Sequence, residues 1–173
     1  MRNAGFKDMI PTQEIIDKFI SPIENVIFIG YPSGIWDSKN LFPIVRKGLT
    51  ATPYYIDFLG EQKFLIDASV FPGSSGSPVF AYSSGSYSDK HGGLYFGDFV
   101  QFLGIIAETF HRQDEGDIII KNIPTKDVPF SISKQMIDLG IVYKAITIEQ
   151  TIQHYFSVLK ERLCALEKNS YEA

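Results

Sequence analysis

The chain has 173 residues, of which 45% are hydrophobic and 21% charged, and its formal net charge is −4. That suits one globular domain with its own core and gives no electrostatic case for binding nucleic acid or an anionic membrane. The single cysteine, Cys164, excludes an internal disulfide, and no apolar run reaches the ~20 residues needed to span a bilayer.

The 14 Phe and 9 Tyr favour strands over a helical bundle. The first residues, Met1 to Asp8, lack the apolar stretch of a signal peptide. The expected compartment is therefore the cytoplasm, unless the chain is a piece of a longer one. Thr12 can cap a short helix over Gln13–Phe19, with Glu14 near its positive end and Ile15, Ile16, Phe19 and Ile20 as its apolar face. Ser21-Pro22 ends it.

Short strand signals separated by turn chemistry follow. They are Asn25–Ile29, closed by Gly30-Tyr31-Pro32-Ser33-Gly34; then Ile44–Thr52, Gln62–Asp67 and Pro78–Tyr82. Ser83–Gly93 reads as an exposed loop. Phe99–Phe110 reads as a long strand, His111–Gly116 as a turn, and Asp117–Ile120 as a strand pairing back on it. A last strand is expected at Gly140–Ile146. Thr147 then caps a C-terminal helix, with Gln150 completing a capping box. Ile148, Ile152, Tyr155, Phe156, Leu159, Leu163 and Leu166 recur at helical spacing, which predicts one buried face. No helix-length segment separates the central strands, so an all-β fold is expected: a small antiparallel β-barrel with a short N-terminal helix and a C-terminal α-helix. The expected divisions are 1–22, 23–146 and 147–173.

The most informative stretch is Asp67-Ala68-Ser69-Val70-Phe71-Pro72-Gly73-Ser74-Ser75-Gly76-Ser77-Pro78-Val79-Phe80. An apolar run enters a Gly/Ser turn and another leaves it. Small residues flank one hydroxyl, so backbone N–H groups can approach a substrate oxygen. A flexible linker is disfavoured because the turn is short and bracketed by prolines. A phosphate cradle needs a Lys and a following helix, and Ser77-Pro78-Val79-Phe80 supplies neither. On composition alone, a purely structural hairpin turn remains open beside a nucleophile loop.

Gly73-Ser74-Ser75-Gly76-Ser77-Pro78 resembles the nucleophile signature of the trypsin-like (chymotrypsin-fold) serine peptidases. Asp67-Ala68 upstream, the Ile29–Gly34 turn and Val45–Ala51 are similar to segments of the short bacterial members. The likeness runs from about Val26 to Ala145, the C-terminal one of that family's two barrels. It implies Ser75 as nucleophile and the N–H groups of Gly73 and Ser75 as the oxyanion hole. It also implies Ser69 and Val70 at the floor of the primary specificity pocket, for a small or apolar side chain, and Gly104 on the strand lining the cleft. No cofactor or metal is implied; the partner would be a peptide or protein substrate. Ser74 stands where the family has Asp or Asn, so it offers no charge to pair with a freshly cut N-terminus. Ser77 stands in place of a second Gly and adds a β-carbon where the backbone packs closely.

A serine hydroxyl needs a base to take its proton, and His91, His111 and His154 all follow Ser75. The family's His and Asp lie on the N-terminal barrel, so the resemblance implies the nucleophile-bearing half of a peptidase, inactive alone. The alternative is an inactive protease-like module that binds peptide or protein. His111 as an unrelated base is the weakest option, since a loop histidine beside Arg112 is ordinarily just solvated. His91 and His154 carry the same solvated reading, and Cys164 is expected to pack. A lone barrel would leave an apolar face uncovered, which predicts self-association or a partner.

Overall fold

The computed structural model describes the backbone of residues 6–112 and 135–171, and the side chains of 8–107 and 138–163. Its strands are β1 (Asn25–Gly30), β2 (Ile44–Thr50), β3 (Lys63–Asp67), β4 (Pro78–Ser83), β5 (Ser86–Ser88), β6 (Leu94–Phe96), β7 (Phe99–Arg112) and β8 (Gln135–Lys144). Its helices are α1 (Gln13–Phe19) and α2 (Ala145–Tyr171).

Six strands close into an antiparallel barrel in the order β1-β2-β3-β8-β7-β4, and β4 returns to pair with β1. Closure removes the exposed edges that an open sheet of this size would present. The expected all-β barrel with a helix near each end is therefore the observed architecture. Val26 and Phe28 on β1, Phe64 and Ile66 on β3, and Val79 and Ala81 on β4 alternate inward, where Leu103, Ile106 and Val142 meet them. Val26, Phe64, Ile66, Val79, Leu103 and Val142 have no exposed surface at all. Burying a side chain of this size contributes about 1.5–3 kcal/mol, which makes this interior the main source of stability.

α1 spans its expected residues, and the Thr12 hydroxyl accepts the Ile15 N–H as its cap. No residue of the helix is fully buried. Ile16 packs against the core from outside, and Ile20, just past the end, is completely enclosed. Phe19 meets Tyr87 and Tyr95 edge-on at ring-centroid distances of 5.6 and 5.2 Å.

Those tyrosines correct one expectation. Ser83–Gly93 is not simply a loop: β5 and β6 pair as a hairpin across it. Asp89 organises its tip by accepting the N–H groups of His91 and Gly93 and the Tyr95 hydroxyl. Lys90 then ties the hairpin to α1 through the Ile16 carbonyl.

Two further boundaries differ, and a third expectation is not reached. His111 and Arg112 belong to β7, opposite Met136 and Gln135, rather than to a turn. The expected strand at Asp117–Ile120 lies outside the described residues. β8 begins at Gln135, well before Gly140. Its polar start hid it, as did Asp138, whose positive φ of 53° kinks the strand while its carbonyl accepts the Ala68 N–H.

The C-terminal helix starts at Ala145, so Thr147 is not its cap; the Thr147 hydroxyl instead donates to the Lys144 carbonyl inside the first turn. Its apolar face is not buried either. Ile148 is half-buried, and Ile152, Tyr155, Phe156, Leu159 and Leu163 face outward. Among the described residues no helix is long and apolar enough to cross a membrane.

Candidate functional site

The segment between β3 and β4 makes two successive tight turns. Ser74 N–H donates to Phe71 O at 3.0 Å across Pro72-Gly73, and Ser77 N–H donates to Ser74 O at 3.0 Å across Ser75-Gly76. Pro leads the first turn and a positive-φ glycine sits third in each, Gly73 at 90° and Gly76 at 85°. That is the sequence chemistry a type II turn requires. Gly76 N–H then donates to Ile106 O at 2.7 Å, and Ile106 N–H returns to Ser77 O at 3.0 Å, which anchors the second turn on β7.

The turn after β1 braces the first one. Ser33 N–H donates to Pro72 O at 2.7 Å. A β-carbon on Gly73 would come within 3.0 Å of Tyr31 O and 3.2 Å of Ser33 N, so besides its positive φ this position has no room for a side chain. Gly30 abuts Ser77 so closely that a β-carbon on it would overlap the Ser77 hydroxyl. Gly48 stands in the same relation to Ala68, whose β-carbon would lie 2.6 Å from one on Gly48. The three quoted segments, Ile29–Gly34, Val45–Ala51 and Asp67–Pro78, thus meet in space although the partners Gly30 and Ser77 stand 47 positions apart in the chain.

The brace leaves Ser75 exposed at the corner of the second turn, and its hydroxyl donates to Ala107 O at 3.0 Å. Ala107 can accept this bond because it is the extra residue of a β-bulge. β7 and β8 pair Ile106 with Val142 and Glu108 with Ile141, which leaves Ala107 without an opposite number. The Gly73 and Ser75 N–H groups donate to no described residue. Ser74 is turned inward, 1% exposed, and its hydroxyl has no hydrogen-bond partner among the described residues.

Of the other expected site residues, Ser69 is half-buried on the approach to the first turn. Val70 is buried against β8, where a β-carbon on Gly140 would strike its side chain. Gly104 is buried in the barrel wall, where a β-carbon would overlap Tyr143 O on the neighbouring strand. The β7 residue that touches Ser75 is Ala107, three positions further on, which sequence reasoning did not single out. His91 is exposed at the tip of the β5–β6 hairpin and His154 is exposed on α2; the His111 side chain lies outside those described. Within the described side chains, no imidazole or carboxylate bonds to Ser75.

No family model, no curated protein and no solved structure matches this chain.

The segment that leaves the bracing turn after β1 carries exposed apolar side chains. Ile35, Trp36, Leu41 and Phe42 are exposed on the segment between β1 and β2, as are Val45 on β2 and Phe71 at the start of the first turn. The Arg46 guanidinium lies over the Phe71 ring at 4.8 Å and over Phe28 at 5.7 Å. Asp37 closes that segment by accepting N–H groups of Lys39 and Asn40 and the Asn40 amide, which hold its carboxyl below the ordinary carboxylate range.

Proposed function

We propose that the chain is the nucleophile-bearing half of a trypsin-like serine endopeptidase. Ser75 would attack, and the N–H groups of Gly73 and Ser75 would receive the negative charge. The observation that carries this reading is the two-turn loop, which exposes one hydroxyl and leaves those two flanking N–H groups without partners among the described residues. In acyl transfer the Ser75 oxygen bonds to the peptide carbonyl carbon, its proton passes to a base, and the carbonyl oxygen gains a charge that two N–H donors stabilise. The tetrahedral centre then releases the amine, which takes up that proton. Removing one such donor costs about 2.7–4 kcal/mol of transition-state stabilisation in a comparable site, so an intact pair is a substantial part of a catalytic apparatus. The base and its orienting acid come, in this reading, from a second barrel. Alone, the chain is expected not to cleave peptides, because the Ser75 proton points at a carbonyl that cannot take it. Peptides with small or apolar side chains suit the uncharged Ser69 and Val70.

A second reading, a protein- or peptide-binding module without catalysis, is favoured by that same Ser75–Ala107 bond. Adding an alkylboronic acid together with imidazole, which supplies the missing base from solution, separates the two. An adduct on Ser75 puts an anionic oxygen beside the cradle, and the Gly73 and Ser75 amide resonances should both shift strongly in NMR spectra. Unchanged amides, or shifts that persist in Ser75→Ala, would remove support for the peptidase reading.

A further inference from the structure

α2 leaves the barrel with its apolar stripe uncovered. Its first turn is anchored: Ala145 is fully buried and Thr147 is bonded back to Lys144. Beyond it, Ile152 is 51% exposed, Tyr155 62%, Phe156 61%, Leu159 38% and Leu163 53%. These five residues follow three- and four-residue steps and so lie on one face. We infer that this stripe pairs with the same stripe of a second copy of the chain, forming a two-fold helix–helix dimer. The inference goes beyond the peptidase reading and does not depend on Ser75.

Two observations choose the occupant. The first is size. At those exposures the five side chains present on the order of 500 Å² per copy. Two copies facing each other cover about 1,000 Å², the lower bound at which specific protein interfaces begin. Identical stripes are self-complementary under a two-fold axis, and a helix of 27 residues, about 40 Å long, offers room for the contact. The second is charge. Between Thr147 and Leu163 the helix carries Glu149 and Glu161 against Lys160 and Arg162. Two copies therefore meet without net repulsion. The same neutrality disfavours an anionic lipid surface, which selects a stripe flanked by many Lys and Arg. An area at this lower bound belongs with weak, reversible association rather than with an obligate dimer.

The test is sedimentation equilibrium of the 173-residue chain over a concentration series, with variants at exposed positions so that the barrel is undisturbed, as checked by circular dichroism. The wild type is expected to pass from monomer to dimer. Leu159→Glu, and separately Phe156→Glu, should weaken the dimer by about 100-fold or more, while Phe42→Ser on the barrel face should leave it within about twofold. A wild type that stays monomeric at several hundred micromolar would overturn the proposal. So would a dimer indifferent to both α2 variants, a dimer lost with Phe42→Ser alone, or a stripe whose only binding is to vesicles of anionic lipid.

Discussion

Gly30→Ala puts a β-carbon on top of the Ser77 hydroxyl, at the contact that braces the Ser75 turn against the turn after β1. Gly30 has an ordinary negative-φ backbone, so the cost is steric rather than conformational. Ser77 is 6% exposed and cannot swing into solvent. Overpacking of this kind costs about 1–3 kcal/mol, which with an m-value near 1–2 kcal/mol/M moves the urea midpoint down by about 1 M. The structure also says what should restore it. The new carbon would lie 3.1 Å from the Ser77 β-carbon and 4.0 Å from its α-carbon. Ser77→Ala therefore relieves the worst overlap but leaves a tight contact, whereas Ser77→Gly leaves ordinary van der Waals spacing. The double variant Gly30→Ala/Ser77→Gly should recover most of the loss, with a coupling energy of about 1 kcal/mol or more, as expected for residues in direct contact. Equilibrium urea unfolding of the four members of the cycle measures it. If Gly30→Ala leaves the midpoint unchanged, or the two substitutions are simply additive, the brace does not exist as described.

Two further outcomes test the framework around the barrel mouth. The Thr50 hydroxyl is buried, accepts the Glu24 N–H at 2.8 Å and donates to Pro22 O at 2.9 Å. Thr50→Val leaves both groups unpaired and should cost about 1–3 kcal/mol in urea unfolding; a loss below about 0.5 kcal/mol would show that water replaces the hydroxyl. Burial lifts the Glu24 carboxyl above its ordinary 4.5, against the opposing hydrogen bond from Ser21 and the charge of Lys90. The fold thus favours the neutral acid, and this contribution to stability is complete below about pH 4.5 and lost as pH rises through the lifted value. Glu24→Gln should make the stability difference between variant and wild type grow in the variant's favour from pH 4 to pH 8, and a pH-independent difference would contradict that sign.

The barrel was legible because its interior alternates plainly. Val26-Ile27-Phe28 and Phe64-Leu65-Ile66 sit between turns whose glycines and prolines announce themselves, so strand ends at Gly30 and Pro78 lie within a residue of expectation. The hairpin of β5 and β6 was not, because each strand is three residues long and is stabilised by tyrosines packing on Phe19, a contact 68 residues away along the chain at Tyr87. The Gly/Ser turn that carries Ser75 was visible as a motif, but its setting was not. The β-bulge that presents the Ala107 carbonyl to Ser75 is a register event between β7 and β8, and Ala-Glu-Thr carries no local sign of it. Helical spacing correctly marked the apolar stripe of α2 but could not say that the barrel fails to cover it, since periodicity reports which residues share a face and not what stands opposite.

The Gly73–Pro78 loop, proposed as a nucleophile and oxyanion cradle, has no base bonded to Ser75 among the described side chains. Imidazole can supply one from solution. Mass spectrometry of the chain treated with a fluorophosphonate should find almost no adduct in plain buffer, an adduct on Ser75 that increases with imidazole concentration, and none in Ser75→Ala. No adduct at any imidazole concentration, or an adduct that persists in Ser75→Ala, would contradict the account.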